Sequence, residues 1–242
     1  MQLDFNAREI TLKLVYYGPG LSGKTTNLIK LHECSAGDVR GRLMTLETRD
    51  DRTLFFDLLP LAFTEGSGDK AFSVRIKLFT VPGQVIHKST RKLVLQGADG
   101  VAFVADSQIQ ETKNNAVAFL DLKENLQANG FALGDMPLVI QFNKRDLPNT
   151  RTDAEIVAQA KRGKEPVFCA IATRGDGVVE TFIGLLHLVW VALDRQHSLQ
   201  AKLGIDRLSW FSHVIQRFNE TRTLEQLLAT AICADGHELV RR

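Results

Sequence analysis

The chain is 242 residues long, 44% hydrophobic and 24% charged, the proportions of a folded globular protein. Its length fits one large domain with an appendage better than a string of small modules. The 30 basic residues against 28 acidic ones leave a net charge of +2; with no polybasic block, neither nucleic-acid wrapping nor membrane adsorption is written into its electrostatics.

Apolar and polar residues alternate from Ile10 to Tyr17, the period of a half-buried strand. Gly18-Pro19-Gly20 breaks that strand, and Leu28 and Leu31 carry helical spacing through Lys24 to Cys34. The runs Leu54 to Phe63 and Phe72 to Val81 are joined by a polar, glycine-containing stretch from Thr64 to Lys70, which predicts an antiparallel hairpin. Three later runs, Val101 to Ala105, Leu138 to Phe142 and Val167 to Ala172, are short and without alternation. Helical segments at Lys88 to Gln96, Thr112 to Ala128 and Asp153 to Lys161 separate them. Continuous apolar strands alternating with helices predict an α/β fold, a mostly parallel sheet with helices on both faces, and the hairpin adds one antiparallel edge strand.

A long helix from Val178 to about His197 closes this unit, with Phe182, Leu185, Leu186, Val189 and Leu193 on a stripe expected to face the sheet. The division is therefore a main domain over 1–196 and a helical extension over 197–242. In the extension, Leu208, Phe211, Ile215 and Phe218 recur at helical spacing behind a possible cap, Asp206. Thr223 with Gln226 reads as a capping box that opens a second helix carrying Leu224, Leu227, Leu228 and Ile232, with Gly236 as its stop. One reading packs this α-helical hairpin on the outer side of the closing helix, over Leu188 and Val191 and within reach of Trp190; the other has the amphipathic helix with Trp210 and Phe211 bind a partner or a membrane surface.

Cys34, Cys169 and Cys233 are odd in number and lack metal-type spacing, which predicts a reducing compartment without a disulfide framework. Met1-Gln2-Leu3-Asp4 has no signal-peptide pattern, and the most apolar stretch, Leu185 to Leu193, falls far short of the roughly 20 residues of a membrane span. No integral membrane segment is expected, and the cytoplasm is the default location.

Gly18-Pro19-Gly20-Leu21-Ser22-Gly23-Lys24-Thr25 fits the pattern G-x-x-x-x-G-K-[ST] and lies between a predicted strand and a predicted helix, as that motif requires. Such glycines let backbone N–H groups converge on phosphate oxygens at a helix N-terminus, where the helix dipole adds attraction. Gly18, Gly20, Leu21, Ser22, Gly23, Lys24, Thr25 and Thr26 are thus candidate phosphate-binding residues. Lys24 would reach the outer phosphates, and the Thr25 hydroxyl would ligate magnesium.

Asn143-Lys144-Arg145-Asp146 follows the strand Leu138 to Phe142 directly, at the carboxyl end of the sheet where open α/β folds bind ligands. A carboxylate at Asp146 can accept from both N1–H and the exocyclic amine of guanine, whereas adenine offers no such donor pair on that edge. Asn143, Lys144 and Asp146 therefore point to a guanine nucleotide, and the Ala172 N–H is the natural donor to guanine O6.

With these motifs in place, the chain resembles Ras-like small GTPases, and more closely the bacterial MglA-type GTPases of gliding motility and cell polarity. The resemblance rests on Tyr16 to Leu28, Asp51-Arg52-Thr53-Leu54-Phe55-Phe56-Asp57, Thr80-Val81-Pro82-Gly83-Gln84, Val101 to Ser107 and Asn143 to Asn149. It runs from about Ala7 to Asp194 and leaves the final stretch without a counterpart. It implies a P-loop NTPase fold, GTP or GDP with Mg2+ as cofactors, and hydrolysis of GTP. Gln84 matches the residue that orients the attacking water, and the Gly83 N–H would hold the γ-phosphate. Thr53 matches the switch-loop magnesium ligand, and Arg52 the arginine finger carried in the same chain. Thr80 departs from the aspartate that most Ras-like proteins place there; Asp57 or Asp51 could take its role toward magnesium, with Asp57 the first choice.

The resemblance further implies a regulatory switch with a roadblock-type GTPase-activating protein, polarity or motility effectors, and recruitment from the cytoplasm to cell poles. Two other readings remain. A non-hydrolysing guanine-nucleotide scaffold is disfavoured by the presence of both Gln84 and Arg52, and a kinase on the same loop is disfavoured by Asn143 to Asp146.

Overall fold

The computed structural model describes residues 2–4, 6–46, 56–66, 71–82 and 88–233. Within them lie the strands β1 (Gln2–Asp4), β2 (Glu9–Tyr17), β3 (Met44–Leu46), β4 (Phe56–Glu65), β5 (Phe72–Thr80), β6 (Gly100–Asp106), β7 (Leu138–Asn143) and β8 (Val167–Cys169). They form one sheet in the order β3-β4-β5-β2-β6-β7-β8, with β1 paired to the start of β2. The run β5-β2-β6-β7-β8 is parallel, and β4 joins β5 antiparallel from Leu58↔Phe79 to Glu65↔Phe72. This is the mostly parallel sheet that the pattern predicts, but β4 is not the outermost strand, because β3 pairs antiparallel with Phe56 to Leu58 beyond it. Three residues such as Met44 to Leu46 carry too little period to announce a strand.

The helices are α1 (Lys24–Cys34), α2 (Lys88–Leu95), α3 (Thr112–Ala128), α4 (Asp153–Ala160), α5 (Val178–His197), α6 (Leu199–Leu203), α7 (Arg207–Gln216) and α8 (Leu224–Leu228). The strand pleat divides the core between two faces. Leu12, Leu14 and Tyr16 of β2 join α1, α5 and the extension, whereas Val15 and Tyr17 join α2, α3 and α4. Every residue of β6 is buried, which is why its sequence reads as an unbroken apolar run.

β8 ends at Cys169 rather than Ala172, since the chain then turns to receive the Arg145 N–H on the Ala170 carbonyl (3.2 Å). In the extension, Asp206 caps α7 through the Ser209 N–H (2.7 Å), and Thr223 and Gln226 form the capping box of α8. Trp210 stacks on Trp190 of α5, and Phe218 touches Phe182 of α5 and Phe63 of β4, at 5.2 and 6.2 Å between centroids. Phe182 therefore meets the extension rather than the sheet alone. α8 stops at Leu228, well before Gly236, which lies outside the described residues. Ile232, expected in that helix, instead forms an antiparallel bridge with Val167 at the free edge of β8, with N–H to carbonyl distances of 3.0 and 2.8 Å. The short α6 was not foreseen. No helix among the described residues is long and apolar enough to cross a membrane.

Candidate functional site

β2 delivers the chain at Tyr17 into the glycine loop, and α1 begins at Lys24. Gly18 has φ 146, and a Cβ there would stand 2.2 Å from the Val104 carbonyl oxygen; Gly23 has φ 98, and a Cβ would meet Asn143 Nδ2 at 2.2 Å. Only glycine fits either place. Gly20 and Leu21 are exposed at the loop tip, Leu21 at φ 60, while Ser22 is buried and its hydroxyl has no partner among the described residues. The buried Lys24 Nζ donates to the carbonyls of Gly18 (3.0 Å) and Pro19 (2.6 Å), so the loop wraps its own ammonium. Burial pushes the Lys24 pKa down to about 7, Arg91 adds repulsion and Asp57 opposes both.

Opposite the loop, three threonine hydroxyls converge on the carboxylate of Asp57 in β4. Oδ2 accepts from the hydroxyls of Thr25 (2.6 Å) and Thr80 (2.9 Å), and Oδ1 accepts from the Thr45 hydroxyl (2.9 Å). The Asp57 N–H in turn donates to Thr80 Oγ1 (2.8 Å). Lys24, Thr25, Thr26, Thr45, Asp57 and Thr80 all line one cavity of about 520 Å³. A single carboxylate among hydroxyls is a hard-oxygen set, the kind that suits magnesium, which keeps several waters and takes one or two carboxylates. Thr45 escaped the sequence reading because β3 is too short to place it.

The base-side loop is tied to the glycine loop through one side chain. Asn143 Nδ2 donates to the Ser22 carbonyl (2.9 Å), and its Oδ1 accepts the Ala172 N–H (2.9 Å). The Ala172 N–H, expected to face a base oxygen, is thus engaged by Asn143. Lys144, at φ 65, is paired with Asp106 (2.6 Å), and Asp146 is exposed in the following turn. Phosphate-type and base-type motifs, far apart in sequence, share one end of the sheet.

Over 193 residues the chain is 45% identical to the mutual gliding-motility protein MglA of Myxococcus xanthus (strain DK1622), covering 80% of this chain and 97% of that protein. The chain belongs to the MglA family of Ras-like small GTPases. It is also 26% identical over 186 residues to the human Ras-related protein Rab-27B, covering 76% of this chain and 82% of Rab-27B. No family model matches the chain.

Of the residues that the MglA-type resemblance singles out, Arg52, Thr53, Gly83 and Gln84 lie outside the described residues. One cluster near the MglA-type site was not read from the sequence. Tyr17, next to Gly18, donates its hydroxyl to Asp121 of α3, which also pairs with the buried Arg91 of α2 (3.0 Å) and accepts from Asn125 (3.0 Å). Burial and the Asp121 bond raise the Tyr17 pKa. A buried arginine has no periodic signature that separates it from a solvated one.

Proposed function

We propose that the chain is a GTP-binding switch that hydrolyses GTP to GDP, with residues 1–196 as the GTPase unit and 197–242 as an accessory helical extension. The observation that carries this reading is the convergence of Lys24, Thr25 and Asp57 on one cavity beside a glycine loop bridged to the base-side loop by Asn143. The Ser22 hydroxyl, without a partner among the described residues, and the two glycines with no room for a Cβ fit a loop built to close on phosphates.

Lys24 would transfer its ammonium from the Gly18 and Pro19 carbonyls to phosphate oxygens, and Thr25 would turn its hydroxyl from Asp57 toward the metal. Asp57 would take the place of the missing aspartate at Thr80. Bound Mg2+ supplies positive charge against the phosphate oxygens. By resemblance, Thr53 adds a second hydroxyl, the Gly83 N–H holds the γ-phosphate, Gln84 orients water and Arg52 offsets transition-state charge. Asp146 selects guanine. Such a site turns over slowly alone, on the order of 10⁻⁴ per second for Ras-type sites, so an activator is implied; we assign a roadblock-type GTPase-activating protein that repositions Arg52. The gliding-motility name of the relative supports polarity or motility effectors as readers of the GTP state and recruitment from the cytoplasm to cell poles.

The test is to identify the copurifying nucleotide and measure its hydrolysis with and without candidate activators. GDP or GTP, hydrolysed faster with an activator, is expected. Bound ATP overturns the reading, and GTP that is never hydrolysed favours a scaffold.

A further inference from the structure

Gln141 sits in the middle of β7 on the α1 and α5 side of the sheet and is fully buried. A primary amide in such a place is costly unless every donor and acceptor is used. Here its Nε2 donates to Asn27 Oδ1 (2.9 Å) and Thr181 Oγ1 (2.8 Å), while its Oε1 accepts from Asn27 Nδ2 (2.9 Å). The two partners end the chain of bonds alike. Asn27 Nδ2 donates to the Gly23 carbonyl (2.9 Å), and the Thr181 hydroxyl donates to the Gly177 carbonyl (2.6 Å).

Those two carbonyls occupy equivalent places. Gly23 caps α1 and Gly177 caps α5, both in the left-handed region and both without a side-chain cap. Each carbonyl also receives the backbone N–H of the residue four ahead, Asn27 (3.0 Å) and Thr181 (3.1 Å). Gly23 belongs to the phosphate-type loop, Gly177 ends the segment that begins at Ala172, and Gln141 stands two residues before Asn143 on the same face of β7.

We propose that Gln141 is a positioning residue for the nucleotide: through Asn27 and Thr181 it locks the helix starts of α1 and α5 to β7, fixing the distance between the phosphate-binding and base-binding loops. This rests on the guanine-nucleotide reading above. A ligand that spans both loops gains from their being held in place before it arrives, because no ordering cost then remains at binding. The network touches no ligand itself; loosening it separates the two loops and speeds release.

The test uses the full chain and the fluorescent nucleotide mant-GDP with Mg2+, reading its release rate together with the melting temperature of the nucleotide-free protein. Thr181→Val, which keeps shape and removes the hydroxyl, is expected to release mant-GDP about tenfold faster, the fold-change that corresponds to one lost buried bond. Thr181→Ser restores the slow rate. The double variant Asn27→Leu with Gln141→Leu replaces both amides by apolar groups; it is expected to melt above the single Gln141→Leu variant yet still release at least tenfold faster than wild type. A double variant or Thr181→Val that releases at the wild-type rate overturns the inference alone. Wild-type protein that binds no mant-GDP overturns the functional reading, and this inference with it.

Discussion

The Thr80 hydroxyl donates to Asp57 Oδ2 at 2.9 Å while accepting the Asp57 N–H at 2.8 Å. This two-way contact between neighbouring strands aims one carboxylate oxygen at Thr25. Thr80, where the Ras-like resemblance leads one to expect an aspartate, thus holds the carboxylate of Asp57 on the adjacent strand.

Asp57→Asn keeps the shape and removes that charge. The Mg2+ concentration needed to retain GDP is expected to rise about 10- to 100-fold, the usual scale for groups that support a bound metal. Titrating mant-GDP retention against Mg2+ checks this; an unchanged requirement assigns the role to another carboxylate.

Asp146→Asn would set an amide donor against the guanine donors. Affinity for GTP should fall by several kcal/mol, since lost charge-assisted bonds add to about 1 to 3 kcal/mol for an unpaired buried group. Xanthosine triphosphate, which carries a carbonyl there, should become the better ligand, and competition between the two nucleotides reads the outcome.

Gln84→Leu and Arg52→Ala should leave GTP binding largely intact and lower activated hydrolysis by about 10³ or more. Single-turnover rates with activator present check both. If Arg52→Ala still responds in full, the finger comes from the partner.

Trp210 stacks on Trp190 with centroids 4.4 Å apart and planes 20° from parallel, and both rings are buried. Trp210→Ala should therefore lower the melting temperature by on the order of 10 °C, given about 3 to 5 kcal/mol for such a truncation in a chain of this size. It should also open Trp190 to iodide quenching. A variant that melts like wild type would show that the extension adds nothing to stability.

Bonds from Arg222, offset in part by burial, hold the Glu220 pKa down to about 2, and Arg222 also pairs with Glu180 of α5 (2.7 Å). A carboxylate with a depressed folded-state pKa adds stability that is fully present above its unfolded value, near 4.5, and is lost as pH falls toward 2. Arg222→Met should remove the side-chain part of that dependence and leave the N–H bonds from residues 221 and 222, making the denaturation midpoint fall less steeply between about pH 5 and 3 than in wild type. Parallel slopes would place the acid sensitivity elsewhere.

The parallel sheet was legible because β6 is a nearly continuous apolar run and β7 an apolar run broken only by Gln141 before Asn143, both between turn signals, and the glycine and base-side loops because each is one uninterrupted stretch of sequence. What escaped depends on partners distant in the chain. Asn27 and Gln141 stand 114 residues apart, and neither shows in sequence that its amide is buried. β3 and α6 are too short for periodicity to register. Ile232 kept helical spacing with Leu228, but its pairing with Val167 offered a strand edge that the helix pattern could not anticipate.

That pairing has a consequence for the chain in solution. β8 pairs with β7 on one side, and among the described residues its other edge meets only the bridge to Ile232, so Val167 would otherwise turn an unpaired N–H and carbonyl outward at the end of a twisted sheet. Open strand edges invite pairing with another molecule and growth into aggregates. One residue of the extension laid along that edge would guard the sheet against copies of the same chain, so removing the extension is expected to cost solubility as well as packing.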